Sequence, residues 1–174
     1  MKILALDPAA TTGFAWTDGD RREYGVWQIT RPGMTEHPGA RLERMRGHIY
    51  EAYRKWGFER LAYEDAQQGS HNFTVQGMHA ELRGVIKLVA CELDVETVAI
   101  NPTTLKSWAT GNGRADKAQV IRAAKTLPDV TTDDDNVADA LFVLELAKNP
   151  LKIEGPKVVK RRMFRQRKRD PKLF

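Results

Sequence analysis

Apolar and polar positions change period several times along the chain, and each change predicts an element. The opening run KILALD at 2–7 is short, nearly all apolar and ends on an acid, as a buried strand does. GFAWTD at 13–18 and EYGVWQI at 23–29 flank a polar turn and predict a hairpin. After the Pro/Gly-rich stretch RPGMTEHPG the period becomes helical: Leu42, Met45, Ile49, Tyr53 and Trp56 predict a helix over 40–56. ERLAYE returns as a strand ending at Glu64, the polar DAQQGSHN follows, and a long helix runs from about Phe73 to Leu93. ETVAIN is a fifth strand. PTTLKSWAT is a short helix with Pro102 at its first position, and RADKAQVIRAAKTL is another after the turn GNG. A last helix lies in TTDDDNVADALFVLELAK, 131–148. Three strands in meander, then two reached by helical crossovers, predict an α/β domain over 1–150. Its core is a mixed five-stranded sheet flanked by helices.

The last helix contains an anomaly. From Val137 to Ala147 only Asp139 and Glu145 are charged, and at helical spacing Asp139 shares its stripe with Phe142, Val143 and Leu146. A lone carboxylate in such surroundings is costly to bury unless something cationic holds it. Asp7 ends one apolar strand and Glu64 ends another, side by side if those strands pair in parallel. Three acids on buried elements, if they converge, form an oxygen-rich site for a hard divalent cation such as Mg²⁺, with Mn²⁺ as a substitute. Each acid also has an ordinary reading: Asp7 as a turn cap before Pro8, Glu64 as the partner of a surface lysine, Asp139 as the partner of an arginine. The same accident at three element ends is the weaker explanation. Thr132 and Asp135 have capping-box spacing, which accounts for Asp133 and Asp134 as first-turn acids. Asp135 and Asn136 precede Asp139 by four and three residues and flank it on one helical face, so either can add a further metal oxygen. None of the four histidines has zinc-ligand spacing with cysteine.

Composition adds a second region. The net charge of +5 is uneven: KVVKRRMFRQRKRDPKLF, 157–174, carries nine Lys or Arg against one Asp. Residues 151–174 thus read as a basic tail, with Lys160, Arg161, Arg162 and Arg165 among the groups expected to hold a polyanion by releasing its counterions. A solvated charge run is the plain alternative. The single Cys91, within VIKLVACEL, is expected to be a small core residue. No apolar stretch approaches a membrane span and the N-terminus lacks the long apolar segment of a signal peptide, so the expected location is cytoplasmic.

Five segments taken in order, ILALDPAATTGFAW, YEDAQQG, LRGVIKLVA, NPTTLKSWATGNGRADKAQVIR and DDDNVADAL, resemble the RuvC-type Holliday junction resolvases of the RNase H-like superfamily. The resemblance covers about residues 1–148 and implies an RNase H-like fold. It also implies a homodimeric, Mg²⁺-dependent endonuclease that nicks opposed strands of a four-way DNA junction. By position Asp7, Glu64 and Asp139 match three metal-binding residues, and the fourth falls on Asn136, where bacterial members have Asp or His. The motif as it stands resembles the phage-borne branch, implying a bacterial cell or a phage-infected host. Lys106 and Lys117 match lysines near the scissile phosphate, Lys117 with a catalytic part. Arg114 and the GNG backbone are by their chemistry able to hold a phosphate, in a binding and not a catalytic part. Where bacterial relatives place a wedging aromatic, this chain has Gln67, with Phe73 further on. Val75, Met78, Leu82, Val85 and Ile86 are read either as a dimer face or as intramolecular core. Two other outcomes remain open: a less selective nuclease for forks and flaps, and a junction-binding protein without activity. A sugar-kinase-like phosphotransferase would need two such domains.

Overall fold

A computed structural model of the chain describes residues 1–65 and 73–149. Its elements are β1 (Ile3–Asp7), β2 (Thr11–Thr17), β3 (Arg22–Gln28), α1 (Ala40–Trp56), β4 (Arg60–Glu64), α2 (Phe73–Leu93), β5 (Glu96–Ile100), α3 (Pro102–Thr110), α4 (Lys117–Ala124) and α5 (Asp135–Lys148). The five strands form one mixed sheet in the order β3-β2-β1-β4-β5. The meander is antiparallel, whereas β4 pairs in parallel with both β1 and β5, as crossover helices require. The expected α/β sheet and all ten elements are present. Among the described residues no helix is long and apolar enough to cross a membrane.

Side chains alternate across a strand, and this sorts the core into two layers. Ile3, Ala5, Ala15, Ala62, Val98 and Ile100 face α5, together with buried residues of α3 and α4. Leu4, Leu6, Trp16, Leu61 and Tyr63 face α1 and α2. Ala5, Ala15 and Ala62 face α5 from the middle of the three central strands, so the helix lies close to the sheet. α5 is apolar all round and buries Val137, Ala138, Leu141, Phe142, Val143 and Leu144 among others, the character of a core helix rather than a surface one. Polar contacts tie its C-terminal end to the sheet. Arg22 of β3 pairs with Glu145 at 2.5 Å, and Arg60, 8% exposed, donates to the Ala147 carbonyl and pairs with Glu96 at 2.8 Å.

Local signals explain the ends of the elements and correct three expectations. Asp116 forms a capping box with Gln119, so α4 begins at Lys117 rather than at Arg114. The cap of α5 is Asp134, whose carboxylate accepts from the Val137 N–H; Thr132 instead accepts from the Asp134 N–H, so no Thr132–Asp135 capping box forms. Cys91 is exposed rather than core, because α2 turns that side away from the sheet. On the same helix Leu82 and Ile86 are buried within the chain, while Val75, Met78 and Val85 are half-buried. Gln67 and the tail residues Lys160, Arg161, Arg162 and Arg165 lie outside the described residues, as does the Phe73 side chain.

One glycine decides how near α5 comes to the sheet. Gly13 is the register partner of Asp7, and a Cβ there would stand 1.9 Å from the Asn136 carbonyl oxygen and 2.2 Å from its carbon. Both are backbone atoms, so the helix itself would have to shift. Gly13→Ala is expected to destabilise the fold by about 1–3 kcal/mol, the usual cost of overpacking, in urea unfolding. An unchanged midpoint would show that α5 has room to move.

Candidate functional site

The alternation that sorts the core also delivers the acids. Asp7 continues the Ile3, Ala5 series of β1, and Glu64 continues Ala62 of β4, so both carboxylates point to the α5 side of the sheet. They are neighbours because β1 and β4 are parallel: Leu6 pairs with Tyr63, and Asp7 and Glu64 come one step later. Asp139 meets them from α5, one turn beyond the Asn136 backbone that rests against Gly13. The turn after β1 is closed by Thr12, whose hydroxyl donates to the Ala9 carbonyl at 2.8 Å. Asp7 is thus not used as a cap.

The electrostatics of the cluster are those of acids held together against their preference. Burial, then the charges of Glu64, Asp139 and Asp135, push the Asp7 carboxyl well above the usual range. Burial and the Asp139 charge push Glu64 up to about 8. Burial chiefly, and Asp135 further, raise Asp139 to about 6. Lysines oppose this from outside: Lys106 acts on Glu64 and Asp139, and Lys117 on Asp7 and Asp139. Lys117 is itself bonded to Asp135. Neither lysine closes an ion pair with the three acids, and Asp139 Oδ1 is buried without a hydrogen-bond partner. Trp16 Nε1 is the other such atom among the described residues. The contrast with Glu145 is direct: on the same apolar helix, that acid has Arg22 and Lys148.

The residues fit a hard divalent cation by donor type. Carboxylate oxygens dominate, one of them is buried and unpartnered, and each acid would be relieved of its neighbours' repulsion by a positive charge among them. Among the described residues no three His, Cys, Asp or Glu side chains close on one metal-sized point. Asn136 and Asp135 both lie in the first turn of α5, where Asp135 adds its charge to the cluster. Arg114 is exposed beyond the GNG turn, which is held by the Arg114 N–H donating to Asn112 Oδ1 at 3.0 Å. Gly13 belongs to the site although no chemistry marked it in the sequence. Its one signal was a glycine inside a strand, a position that often marks close backbone approach.

Comparison with known proteins identifies a family for the chain. The family model described as crossover junction endodeoxyribonuclease RuvC matches residues 3–145. The protein of that name from Fusobacterium nucleatum is 30% identical over 82% of this chain and 77% of its own length. That from Pelotomaculum thermopropionicum is also 30% identical, over 82% and 90%. Among solved structures, Thermus thermophilus RuvC superposes with a TM-score of 0.68 at 20% identity, covering 85% of this chain and 96% of that one. The same protein has been solved in complex with a Holliday junction substrate, with a TM-score of 0.68 and 21% identity over 82% and 90%.

The raised acids set a pH dependence whose sign can be worked out. Unfolded, Glu and Asp titrate near ~4.3 and ~3.9. Folded, Glu64 and Asp139 hold their protons up to about 8 and about 6. Between these limits the native state binds more protons than the unfolded one, so stability of the metal-free protein is full below about pH 4 as far as these groups go and falls as pH rises towards 8. Thermal melts in EDTA should show this decline, and Glu64→Gln should flatten it and raise the melting temperature at pH 8. A pH-independent difference between the two proteins would contradict the assignment.

Proposed function

The chain belongs to the crossover junction endodeoxyribonuclease RuvC family, and from that premise we propose that Asp7, Glu64 and Asp139 hold Mg²⁺ at the phosphate to be cut. The protein is an RNase H-like, metal-dependent nuclease that resolves Holliday junctions. The observation that carries the site assignment is the buried, unpartnered Asp139 Oδ1 beside two strand-terminal acids raised by mutual repulsion.

When bound, divalent cations would activate the attacking water and neutralise the leaving oxygen of an in-line phosphodiester hydrolysis. Asp7, Glu64 and Asp139 would together hold the cation, and Mn²⁺ would be able to replace Mg²⁺. Asp135 supports the set as a fourth acid better than Asn136, since its charge already reaches both Asp7 and Asp139. Lys117, 81% exposed and bonded to Asp135, stands at the edge of the cluster where its ammonium can meet charge developing on the phosphate. Lys106, half-buried on α3, acts from the side of Glu64 and Asp139 and orients the same group. Arg114 holds a neighbouring phosphate. Gln67 and Phe73 meet the junction centre, and Lys160, Arg161, Arg162 and Arg165 grip a DNA arm without regard to sequence. A homodimer making paired nicks is the arrangement suited to a two-fold junction. The exposed side of α2, where Leu88 is 54% exposed, offers a surface for a second copy.

With Mg²⁺ and a labelled synthetic four-way junction, wild type should nick opposed strands and leave the same sequences as linear duplex intact. Asp139→Asn should lower the rate roughly 10²–10³-fold while still binding the junction, and Asp135→Ala should lose more activity than Asn136→Ala. Equal cutting of forks and flaps would favour a less selective branched-DNA nuclease. Binding by both proteins with cutting by neither would make Asp139 structural. Removing residues 157–174 should weaken junction binding and make its dependence on log salt concentration shallower, with little change in rate at saturating DNA. An unaltered salt slope would exclude the tail from binding.

A further inference from the structure

We propose that helix α2 sets the spacing of the carboxylate site, with His79 and Arg83 as positioning residues that hold the residue immediately after each strand-terminal acid. The inference rests on the cluster being a divalent-cation site and concerns residues outside it.

His79 and Arg83 are four residues apart and project from one face of α2. His79 is half-buried and hydrogen-bonds to the backbone of Pro8. Proline has no N–H, so the imidazole donates and the Pro8 carbonyl accepts. Arg83 pairs with Asp65 at 3.1 Å, the two side chains being only 13% and 18% exposed. Pro8 follows Asp7 and Asp65 follows Glu64, so the two grips fall on equivalent places in the neighbouring parallel strands β1 and β4. The Asp65 N–H also donates to the Ile100 carbonyl at 2.8 Å, which ties the end of β4 to β5. One turn beyond Arg83 the stripe continues with Lys87, whose ammonium lies 6.0 Å from the centre of the Tyr63 ring, just before Glu64.

The purpose follows from the repulsion. Asp7 and Glu64 stand where the strand ladder ends, and their mutual charge favours splaying of the two strand ends. α5 supplies Asp139 from one face of the sheet but holds neither of the following residues. α2, packed on the opposite face through Leu82, Ile86 and Val89, holds both. Its cations act beside the acids rather than on them: Arg83 is committed to Asp65, so it pins the site without filling the place of a cation. Mg²⁺ demands near-ideal octahedral geometry, so a site whose acids drift apart binds it more weakly even with every ligand present.

The test uses the full chain with His79→Leu, Arg83→Met and the conservative His79→Gln and Arg83→Lys. Three quantities are measured: the Mg²⁺ concentration at half-maximal rise in melting temperature without DNA, kcat for junction nicking, and junction binding in EDTA. The Leu and Met variants should need about ten-fold more Mg²⁺, as other changes to groups supporting metal ligands do, with lower kcat and unaltered junction binding. The Gln and Lys variants should recover most of the loss, since each can still donate to the same oxygen. Wild-type Mg²⁺ midpoints in all four variants would overturn the proposal. So would losses that simply follow melting temperature, without rescue by Gln or Lys. If Mg²⁺ midpoints shift as expected but wild type nicks no junction, the resolvase assignment fails and the positioning role stands. If wild type shows no response to Mg²⁺, both fall.

Discussion

The structure turns on three carboxylates held in a buried space they would not share by choice. Asp7, Glu64 and Asp139 lose hydration on burial and repel one another, and no ion pair among the described residues compensates them. The surrounding fold supplies the energy to keep them there: the parallel β1/β4 pair, the apolar α5 and the bonds that hold the ensuing turns. Stability is sacrificed at this one place, and a cation among the acids would relieve their repulsion.

Each face of the sheet contributes to that site by a different device. On the α5 side, small side chains do the work: Ala5, Ala15 and Ala62 let the helix settle close, and the absence of a Cβ at Gly13 lets the Asn136 backbone touch the strand beside Asp7. At the far end of α5 charge takes over, where Arg22 and Arg60 tie the helix to β3 and β4. On the α2 side, packing by leucine, isoleucine and valine carries polar contacts to Pro8 and Asp65. Burying the helix and orienting the acids are therefore one operation.

Around this rigid centre, positive charge is graded. Lys106 and Lys117 reach the acids electrically but leave them unpaired, and Lys117 rests on Asp135. Arg114 is exposed further out, on a turn that is fixed by its own backbone. The positive charge therefore stands near the acids without neutralising them.

Much of this was legible along the chain because it is local. Period and strand-terminal position marked Asp7 and Glu64, and one acid in an apolar helix marked Asp139; these patterns depend on neighbours within a turn or two. The family segments supplied Lys106 and Lys117. Helix ends were less secure, since the Asp116 cap starts α4 three residues after Arg114 and Asp134 rather than Thr132 caps α5, and Cys91 looked apolar by its neighbours yet faces outward. Convergence was beyond the sequence. That Asp7 adjoins Glu64 depends on parallel pairing, that Asp139 joins them depends on α5 crossing at Gly13, and His79 and Arg83 acquire partners only when α2 packs against the opposite face. The sequence by itself determined which residues carry charge into the core. Only tertiary packing decided that those charges meet, because contacts between segments tens of residues apart leave no period for a local pattern to reveal.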